Sequence, residues 1–174
     1  MNVIGKTTDK KKILILCLIV VLVSFIGICF VVALKRHNLQ KDNSINVMNT
    51  SNTSSMTITE GGTYQITGDN TCIVVNTTDG VELELDNATI TCNNGPAINI
   101  ESANKIKIIL TGNNKVSANT TEELDGAIFS KEDIIFSGNG TLQITSNYDG
   151  IVSKDDLIIT GGTYDITASD DGIK

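Results

Sequence analysis

A seven-residue motif that recurs along the chain is the feature that most constrains its fold. Residues 61–67 read GGTYQIT and residues 161–167 read GGTYDIT. Weaker copies begin at Asn87, Asn113 and Asn139, so the starting positions 61, 87, 113, 139 and 161 are 26, 26, 26 and 22 residues apart. Periods of about 20 to 30 residues are typical of solenoids, in which each repeat stacks on its neighbour. The chain from residue 57 onward therefore predicts a repeat architecture.

Each period contains short runs with strand character, and none has helical periodicity. In residues 81–85, which read VELEL, apolar and charged residues alternate, so every second side chain faces the same side of a strand. Gly, Asn and Asp separate these runs, as turns require. We therefore predict an all-β fold, a parallel β-helix of about five rungs over residues 57–174. A rung is one complete turn of the solenoid and contains three strands.

Stacked rungs place like residues in columns, and the sequence predicts four apolar columns in the core. The strand runs predict two columns, Ile73–Ile98–Ile128–Ile151–Ile173 and Val81–Ile106–Ile134–Leu157. The aligned motif copies predict two more, Tyr64–Ile90–Val116–Leu142–Tyr164 and Ile66–Cys92–Ala118–Ile144–Ile166. A single rung cannot bury its apolar face alone, so the stacked columns supply the core.

The N-terminal part differs from the repeat. Residues 13–34 form an uncharged run of 22 residues, long enough to cross a hydrocarbon core of about 30 Å as a helix. The lysines before this run favour a cytoplasmic N-terminus. We therefore predict a basic cytoplasmic tail in residues 1–12, an uncleaved transmembrane signal anchor in residues 13–34 and an Asn/Ser/Thr-rich linker in residues 35–56. The protein is then a single-pass protein of the cell membrane with an extracellular β-helix.

Charge and residue inventory exclude several function classes. Residues 1–36 carry six Lys or Arg and one acid, a net charge of +5, whereas residues 37–174 carry seven Lys and nineteen acids, a net charge of −12. The body has no basic footprint, which excludes nucleic acid as a partner. The only Arg and the only His are Arg36 and His37, beside the apolar run. We therefore predict no enzymatic activity, with a polysaccharide lyase or hydrolase as the alternative.

Aspartates recur at the predicted turns between strands. One turn column contains Asp125-Gly126, Asp149-Gly150 and Asp171-Gly172, and another contains Asp155-Asp156. For a single pair, ordinary turn chemistry is a sufficient explanation. Carboxylates stacked about 4.8 Å apart repel one another, however, and oxygen ligands of this kind suit Ca²⁺. We predict a calcium site formed from Asp125, Asp149, Asp155, Asp156, Asp170 and Asp171, and the alternative is a solvated acidic face.

Two further side chains are predicted to contact a sugar. Tyr148, beside Asp149, offers a ring for stacking, and Lys154, beside Asp155, offers a positive charge. The alternative for Lys154 is a solvated lysine that relieves the acidic stack. The sequence permits a disulfide between Cys72 and Cys92 but does not indicate one, because the two are not at equivalent positions of adjacent rungs.

The last two rungs resemble a known family. The runs DGIVSKDDLIITGGT at residues 149–163 and ITASDDGI at residues 166–173 resemble the clostridial carbohydrate-binding β-helix family. The resemblance implies a right-handed, pectate-lyase-like solenoid, binding of acidic plant polysaccharide (polygalacturonate and cellulose included) and bound calcium. The family pattern carries over to Asp149, Asp155, Asp156, Asp170 and Asp171, which the resemblance implies as site residues.

Together these observations predict a cell-surface module that binds an acidic plant polysaccharide, with Ca²⁺ held by Asp-rich turns. Because the body carries a net charge of −12, an anionic polymer needs a bridging cation. A structural surface solenoid or adhesin without sugar affinity is the other alternative. The last rung stops at Lys174 after two of its three strands, so we expect that the chain is truncated or that a partner covers this end.

Overall fold

The computed structural model describes residues 45–49 and 55–174, and all the regular structure in them is β-strand. The strands, in chain order, are β1 (Ile45–Asn49), β2 (Met56–Ile58), β3 (Gly62–Asn70), β4 (Ile73–Asn76), β5 (Gly80–Cys92), β6 (Ile98–Ser102), β7 (Lys105–Thr111), β8 (Asn113–Ala118), β9 (Gly126–Ser130), β10 (Ile134–Gly138), β11 (Thr141–Ser146), β12 (Asp149–Ser153), β13 (Leu157–Ile159) and β14 (Thr163–Thr167). The predicted all-β class is therefore confirmed.

The strands form two sheets in which all neighbouring strands run parallel. The smaller sheet has five strands in the order β12-β9-β6-β4-β2, and the larger has nine, with β5 at its centre. Five strands stacked in one column are separated by four passages around the solenoid. The described residues therefore form a parallel β-solenoid of about four turns, whereas the sequence predicted about five because each copy of the repeat was counted as a complete rung.

Two of the predicted core columns are confirmed by the strand register. On the smaller sheet, Ile73, Ile98, Ile128 and Ile151 follow one another, and an isolated bridge adds Ile173. On the larger sheet the successive partners are Val81, Ile106, Ile134 and Leu157. The first four isoleucines are fully buried, so a large share of the apolar burial lies in these columns.

The other two predicted columns are right in part. Four of their neighbour pairs are confirmed, Ile90–Val116, Leu142–Tyr164, Cys92–Ala118 and Ile144–Ile166, but the register departs from the prediction between β3 and β5 and between β8 and β11. The structure pairs Tyr64 with Leu83 rather than Ile90, because β3 runs beside the first half of the long strand β5. Further along, Val116 lies beside Ile144, and Leu142 lies beside Asn114. The observed columns are therefore Ile90–Val116–Ile144–Ile166, Asn114–Leu142–Tyr164 and Cys92–Ala118–Ser146.

A buried asparagine explains this shift of two residues. Asn114 is 1% exposed, and its side-chain oxygen accepts a hydrogen bond from Ala88 N at 2.9 Å. Its amide nitrogen donates to the carbonyl oxygens of Thr111 at 3.0 Å and Thr141 at 3.2 Å. The side chain therefore joins three rungs and satisfies its own polar groups, which allows it to occupy a core position. An alignment based on hydrophobicity skips such a residue.

A disulfide joins Cys72 and Cys92, the pair that the sequence left open. The Cα atoms lie 4.9 Å apart across a sequence separation of 20 residues. Cys72 precedes β4 and Cys92 ends β5, so the two cysteines belong to different columns. They meet because the chain returns to the same corner of the solenoid after almost one complete rung. Positions that are not equivalent in the repeat are therefore close in space.

Residues with left-handed backbone conformation mark one corner of successive rungs. Asn87 has φ 51° and Gly112 has φ 65°. The side-chain oxygen of Asn87 accepts a hydrogen bond from Asn113 N at 3.1 Å, and a Cβ added at Gly112 would lie 2.5 Å from that oxygen. Position 112 therefore needs glycine both for its φ and for the space that Asn87 occupies.

Part of the predicted N-terminal organisation lies outside the described residues. The predicted tail (residues 1–12) and transmembrane anchor (residues 13–34) both lie there, and the described residues contain no helix that is long and apolar enough to cross a membrane. Within the range predicted as linker (residues 35–56), β1 pairs in parallel with β3. That part of the range thus contributes a strand to the larger sheet.

Candidate functional site

Two surfaces of the solenoid concentrate polar side chains. The first, which we call the acidic edge, comprises Asp125, Asp149, Asp170, Asp171 and Lys174, where the last rungs meet. The second, the polar groove, lies on the outer face of β8, β11 and β14 and has a volume of about 360 Å³. These surfaces belong to different sheets, and their chemistry differs.

Asp149 is the centre of the acidic edge. Its side chain is 1% exposed, and both of its oxygens have partners. Asp171 N donates to Asp149 Oδ1 at 2.9 Å, and Lys174 Nζ lies 2.9 Å from Asp149 Oδ2. The same ammonium group lies 3.1 Å from Asp125 Oδ2, so Lys174 bridges two carboxylates from successive rungs. The charges of Asp125 and Asp149 therefore have a counter-charge within the protein.

These contacts shift the pKa values of Asp125 and Lys174. Burial opposes ionisation of Asp125, but the hydrogen bond from Lys174 and the nearby charge of Lys154 outweigh it, so the pKa of Asp125 lies below its ordinary value. Hydrogen bonds to Asp149 and Asp125 raise the pKa of Lys174 above its ordinary value. Asp125 and Lys174 are therefore both charged at neutral pH.

Three carboxylates of the acidic edge come close enough to share a cation. One oxygen each from Asp149, Asp170 and Asp171 lies within 4.8 Å of the others, and the last two residues are exposed. Backbone bonds order this segment, since the carbonyl oxygen of Tyr148 accepts from Ser169 N at 3.0 Å and Asp170 N at 3.3 Å. Carboxylate oxygens are the donors that hard cations such as Ca²⁺ prefer.

The remaining predicted metal ligands lie elsewhere. Asp149 begins β12, whereas Asp155 and Asp156 come after its other end. Asp156 N donates a hydrogen bond to Asp133 Oδ1 at 3.0 Å. Among the described residues, the group close enough to hold one ion contains neither of them. Asp125 is held by Lys174 instead. The structure thus brings three of the six predicted ligands together.

The two predicted sugar contacts are both partly occupied by the protein. Lys154 Nζ lies 3.7 Å from Asp125 Oδ1 and 5.3 Å from the centre of the Phe129 ring, so its charge is directed at other side chains. Tyr148 is half-buried, and its backbone anchors the last rung. The interpretation of Lys154 as a lysine that relieves acidic charge agrees with its contacts.

Sequence reasoning missed Lys174. A signal for it exists, because the predicted column that ends at Ile173 places the next residue beside Val152, on the side of the strand away from the core. That position is the one from which a long side chain can turn toward Asp149. The prediction considered only lysines within the turns.

The polar groove is formed by side chains that alternate with the core. Asn113, Thr141 and Thr163 are partners in register, and so are Lys115, Gln143 and Asp165. These six residues are exposed, whereas their chain neighbours Leu142 and Val116 are buried. A second groove of about 380 Å³ lies on the same sheet and includes Glu82 and Lys107, which form an ion pair at 3.6 Å.

Comparison with known proteins gives the family. The model of a family described as carbohydrate-binding domain-containing protein matches residues 52–174, which include all strands from β2 onward. The chain belongs to this family. A curated relative, a carbohydrate-binding domain-containing protein of Acetivibrio thermocellus, is 35% identical over 98 residues, covering 49% of this chain and 34% of the relative. The chain thus spans about a third of the length of that relative.

No solved structure matches the chain. The resemblance predicted from the last two rungs is confirmed as far as the carbohydrate-binding family and the clostridial relative, and the parallel β-solenoid agrees with it. The family description names carbohydrate binding and does not name catalysis. In this chain, residues 57–174 contain no His and no Arg.

Proposed function

We propose that the protein is a cell-surface module that binds acidic plant polysaccharide, such as polygalacturonate, without cleaving it. The single observation that supports this most is the family match, which extends over all strands from β2 onward. The two polar surfaces supply the side chains that such binding needs. Hydroxyl, amide and carboxylate groups can form hydrogen bonds with the hydroxyls of a sugar, and the carboxylates of the acidic edge can bind a cation.

We also propose that Ca²⁺ binds at the acidic edge through Asp149, Asp170 and Asp171. The donor type fits, because all three offer carboxylate oxygens within 4.8 Å of one another. Lys174 competes for this position, since its ammonium group lies 2.9 Å from Asp149 Oδ2. Binding of the ion therefore requires Lys174 to move away. When bound, Ca²⁺ would supply the positive charge that a polyuronate carboxylate needs.

Calorimetric titration of polygalacturonate into the full-length chain, held in mild detergent, tests this function. We expect binding in calcium and weaker binding in a chelator. Asp171→Asn should remove the effect of calcium, whereas the matched control Asp155→Asn, an exposed aspartate outside the carboxylate group, should retain it. If the chelator leaves the affinity unchanged, the calcium proposal is wrong even though carbohydrate binding stands.

A structural solenoid is the second candidate, and a specific observation favours it. Lys154 pairs with Asp125, and Lys174 pairs with Asp125 and Asp149, so these two carboxylates of the acidic edge have counter-charges without a ligand. In that case Asp125 and Asp149 serve to join rungs. A chain that binds no polysaccharide in any ionic condition, but melts at a lower temperature after Lys174→Ala, would support this candidate.

The location of the protein and the handedness of its solenoid belong to the same proposal. A single-pass anchor in residues 13–34 would hold a right-handed, pectate-lyase-like solenoid outside the cell. Digestion of intact cells with a protease tests the topology, because an extracellular solenoid is degraded while a cytoplasmic N-terminal tag on residues 1–12 stays protected. Protection of the solenoid would overturn the proposed location.

A further inference from the structure

The polar groove has a regular outer surface that the family description does not explain. Along the stacking direction, Lys115, Gln143 and Asp165 follow one another on β8, β11 and β14, one residue per rung. Neighbouring parallel strands lie about 4.8 Å apart. A pyranose in an extended 1,4-linked chain advances by a similar distance. Successive sugars laid along the stacking direction would therefore meet successive rungs at equivalent positions.

Hydrogen bonds between the groove side chains leave specific atoms available. Thr141 Oγ1 donates to Asn113 Oδ1 at 2.9 Å, and Gln143 Nε2 donates to Asp165 Oδ2 at 3.3 Å. These contacts orient both amides. Asn113 Nδ2 and Gln143 Oε1 have no partner among the described residues, so the groove presents a donor and an acceptor in fixed positions. Such pairs suit sugar hydroxyls, which donate and accept at once.

Lys115 gives the groove a positive charge without an internal counter-ion. In the described part of the chain, Lys107, Lys154 and Lys174 form ion pairs with carboxylates, whereas Lys115 forms none. Lys115 is exposed in the middle strand position between its neighbours Thr89 and Gln143. In a body whose net charge is −12, an ammonium group in this position is complementary to an anionic group of a ligand.

We infer that the polar groove binds an extended glycan that carries carboxylates, with one uronate carboxylate on Lys115 and sugar hydroxyls on Asn113, Gln143 and Asp165. This inference rests on the proposed carbohydrate-binding function and names the surface and the residue that selects an acidic sugar. Unlike the acidic edge, the groove needs no metal ion. Part of the affinity for polyuronate therefore persists in a chelator.

The second groove on the same sheet provides an internal comparison. Its Lys107 is already paired with Glu82 at 3.6 Å, whereas Asp165, the carboxylate of the polar groove, lies two strands from Lys115 and accepts a hydrogen bond from Gln143. The second groove also lacks a side-chain amide among the residues that line it. The second groove also contains Lys105, which is exposed and forms no ion pair in the described part of the chain, so the comparison is between single residues: the paired Lys107 is the matched control for the unpaired Lys115.

The test uses the full-length chain in detergent and a chelator, with an oligogalacturonate as the probe and calorimetry as the measurement. We expect Lys115→Ala to weaken binding about tenfold, the effect of losing one hydrogen bond to a charged group. Lys107→Ala should bind as the unchanged protein does, and Lys115→Arg should retain most of the affinity. A fully methyl-esterified oligogalacturonate, which has no charge, should not distinguish Lys115→Ala from the unchanged protein.

The possible results separate the inference from the function on which it rests. Binding that disappears in the chelator, or a Lys115→Ala variant with unchanged affinity for the acidic oligomer, overturns the groove assignment but leaves calcium-dependent carbohydrate binding intact. Absence of binding with and without calcium overturns the proposed function and the groove assignment together. Because Lys115 is exposed, circular dichroism of the variant should match that of the unchanged protein.

Discussion

The inside and the outside of the solenoid use the same strand spacing in opposite ways. The inner column on the smaller sheet repeats isoleucine at Ile73, Ile98, Ile128 and Ile151, and all four are fully buried. The outer column on the larger sheet changes residue at every rung, from Lys115 to Gln143 to Asp165. Packing requires uniform apolar shape inside, while the outer column is free to carry chemistry. Substitutions should therefore separate stability from binding.

The largest effect is expected inside the isoleucine column. Ile128→Ala removes buried methyl groups from a position with no exposed surface, so we expect the free energy of unfolding to fall by about 2 to 5 kcal/mol. Urea denaturation followed by circular dichroism measures this loss. Ile135→Ala, on the outer side of the neighbouring sheet and only half-buried, is the matched control. Equal losses at both positions would contradict the distinction between inside and outside.

The next effect concerns the disulfide between Cys72 and Cys92. A cross-link that closes a loop of 20 residues stabilises a fold by about 3 kcal/mol, chiefly by restricting the unfolded chain. We therefore expect a reductant to lower the melting temperature of the protein. The Cys72→Ser/Cys92→Ser variant should melt at that lower temperature with or without reductant. A melting temperature that does not respond to reductant would show that the disulfide does not form in solution.

Asn114 distinguishes the observed register from the predicted one. If position 114 were an ordinary core position, Asn114→Leu would stabilise the protein by adding apolar surface. In the structure it leaves Ala88 N and the carbonyl oxygens of Thr111 and Thr141 without their partner. We expect a loss of about 1 to 3 kcal/mol in the free energy of unfolding. Thermal denaturation of the variant shows whether the substitution stabilises or destabilises the protein.

The smallest effect is expected at the acidic edge and depends on pH. Because the pKa of Asp125 is lower in the folded protein than its ordinary value, the ionised form stabilises the fold above about pH 4. This contribution is lost as the pH falls through the lowered pKa. Melting temperatures measured between pH 7 and pH 2 should therefore fall less steeply for Asp125→Asn than for the unchanged protein. If the melting temperatures of the two proteins fall in parallel with pH, Asp125 does not contribute to the pH dependence of stability.

The sequence predicted those parts of the fold that repetition fixes. Apolar columns that begin with Ile73 and Val81 appear in the structure with the predicted partners, because each position must fill the same space in every rung. The columns that begin with Tyr64 and Ile66 were right only where β5 pairs with β8 and β11 with β14, since the long strand β5 and the buried Asn114 break the regular alignment elsewhere. The contact between Cys72 and Cys92 depends on the path of the chain around a corner, which no repeat position records.

The candidate site was less predictable than the fold. The stacking of Asp149 and Asp171 was visible in the repeat, and both belong to the carboxylate group in the structure. Side-chain direction was not visible, so Asp155 and Asp156 were assigned to the same site. The polar groove was overlooked because its residues, such as Lys115 and Gln143, differ in every rung and leave no motif. Outer faces lack the packing constraint that makes inner faces recognisable.

The unbroken register of β8, β11 and β14 has an evolutionary consequence. Each rung joins its neighbours through the same parallel pairing, so an in-frame duplication of one repeat inserts a new rung without redesigning the others. The same duplication lengthens the outer face by one strand spacing. If the polar groove binds a glycan as we propose, the copy number of the repeat sets how many sugar units a chain contacts at once, and avidity for a polymer changes with a single genetic event.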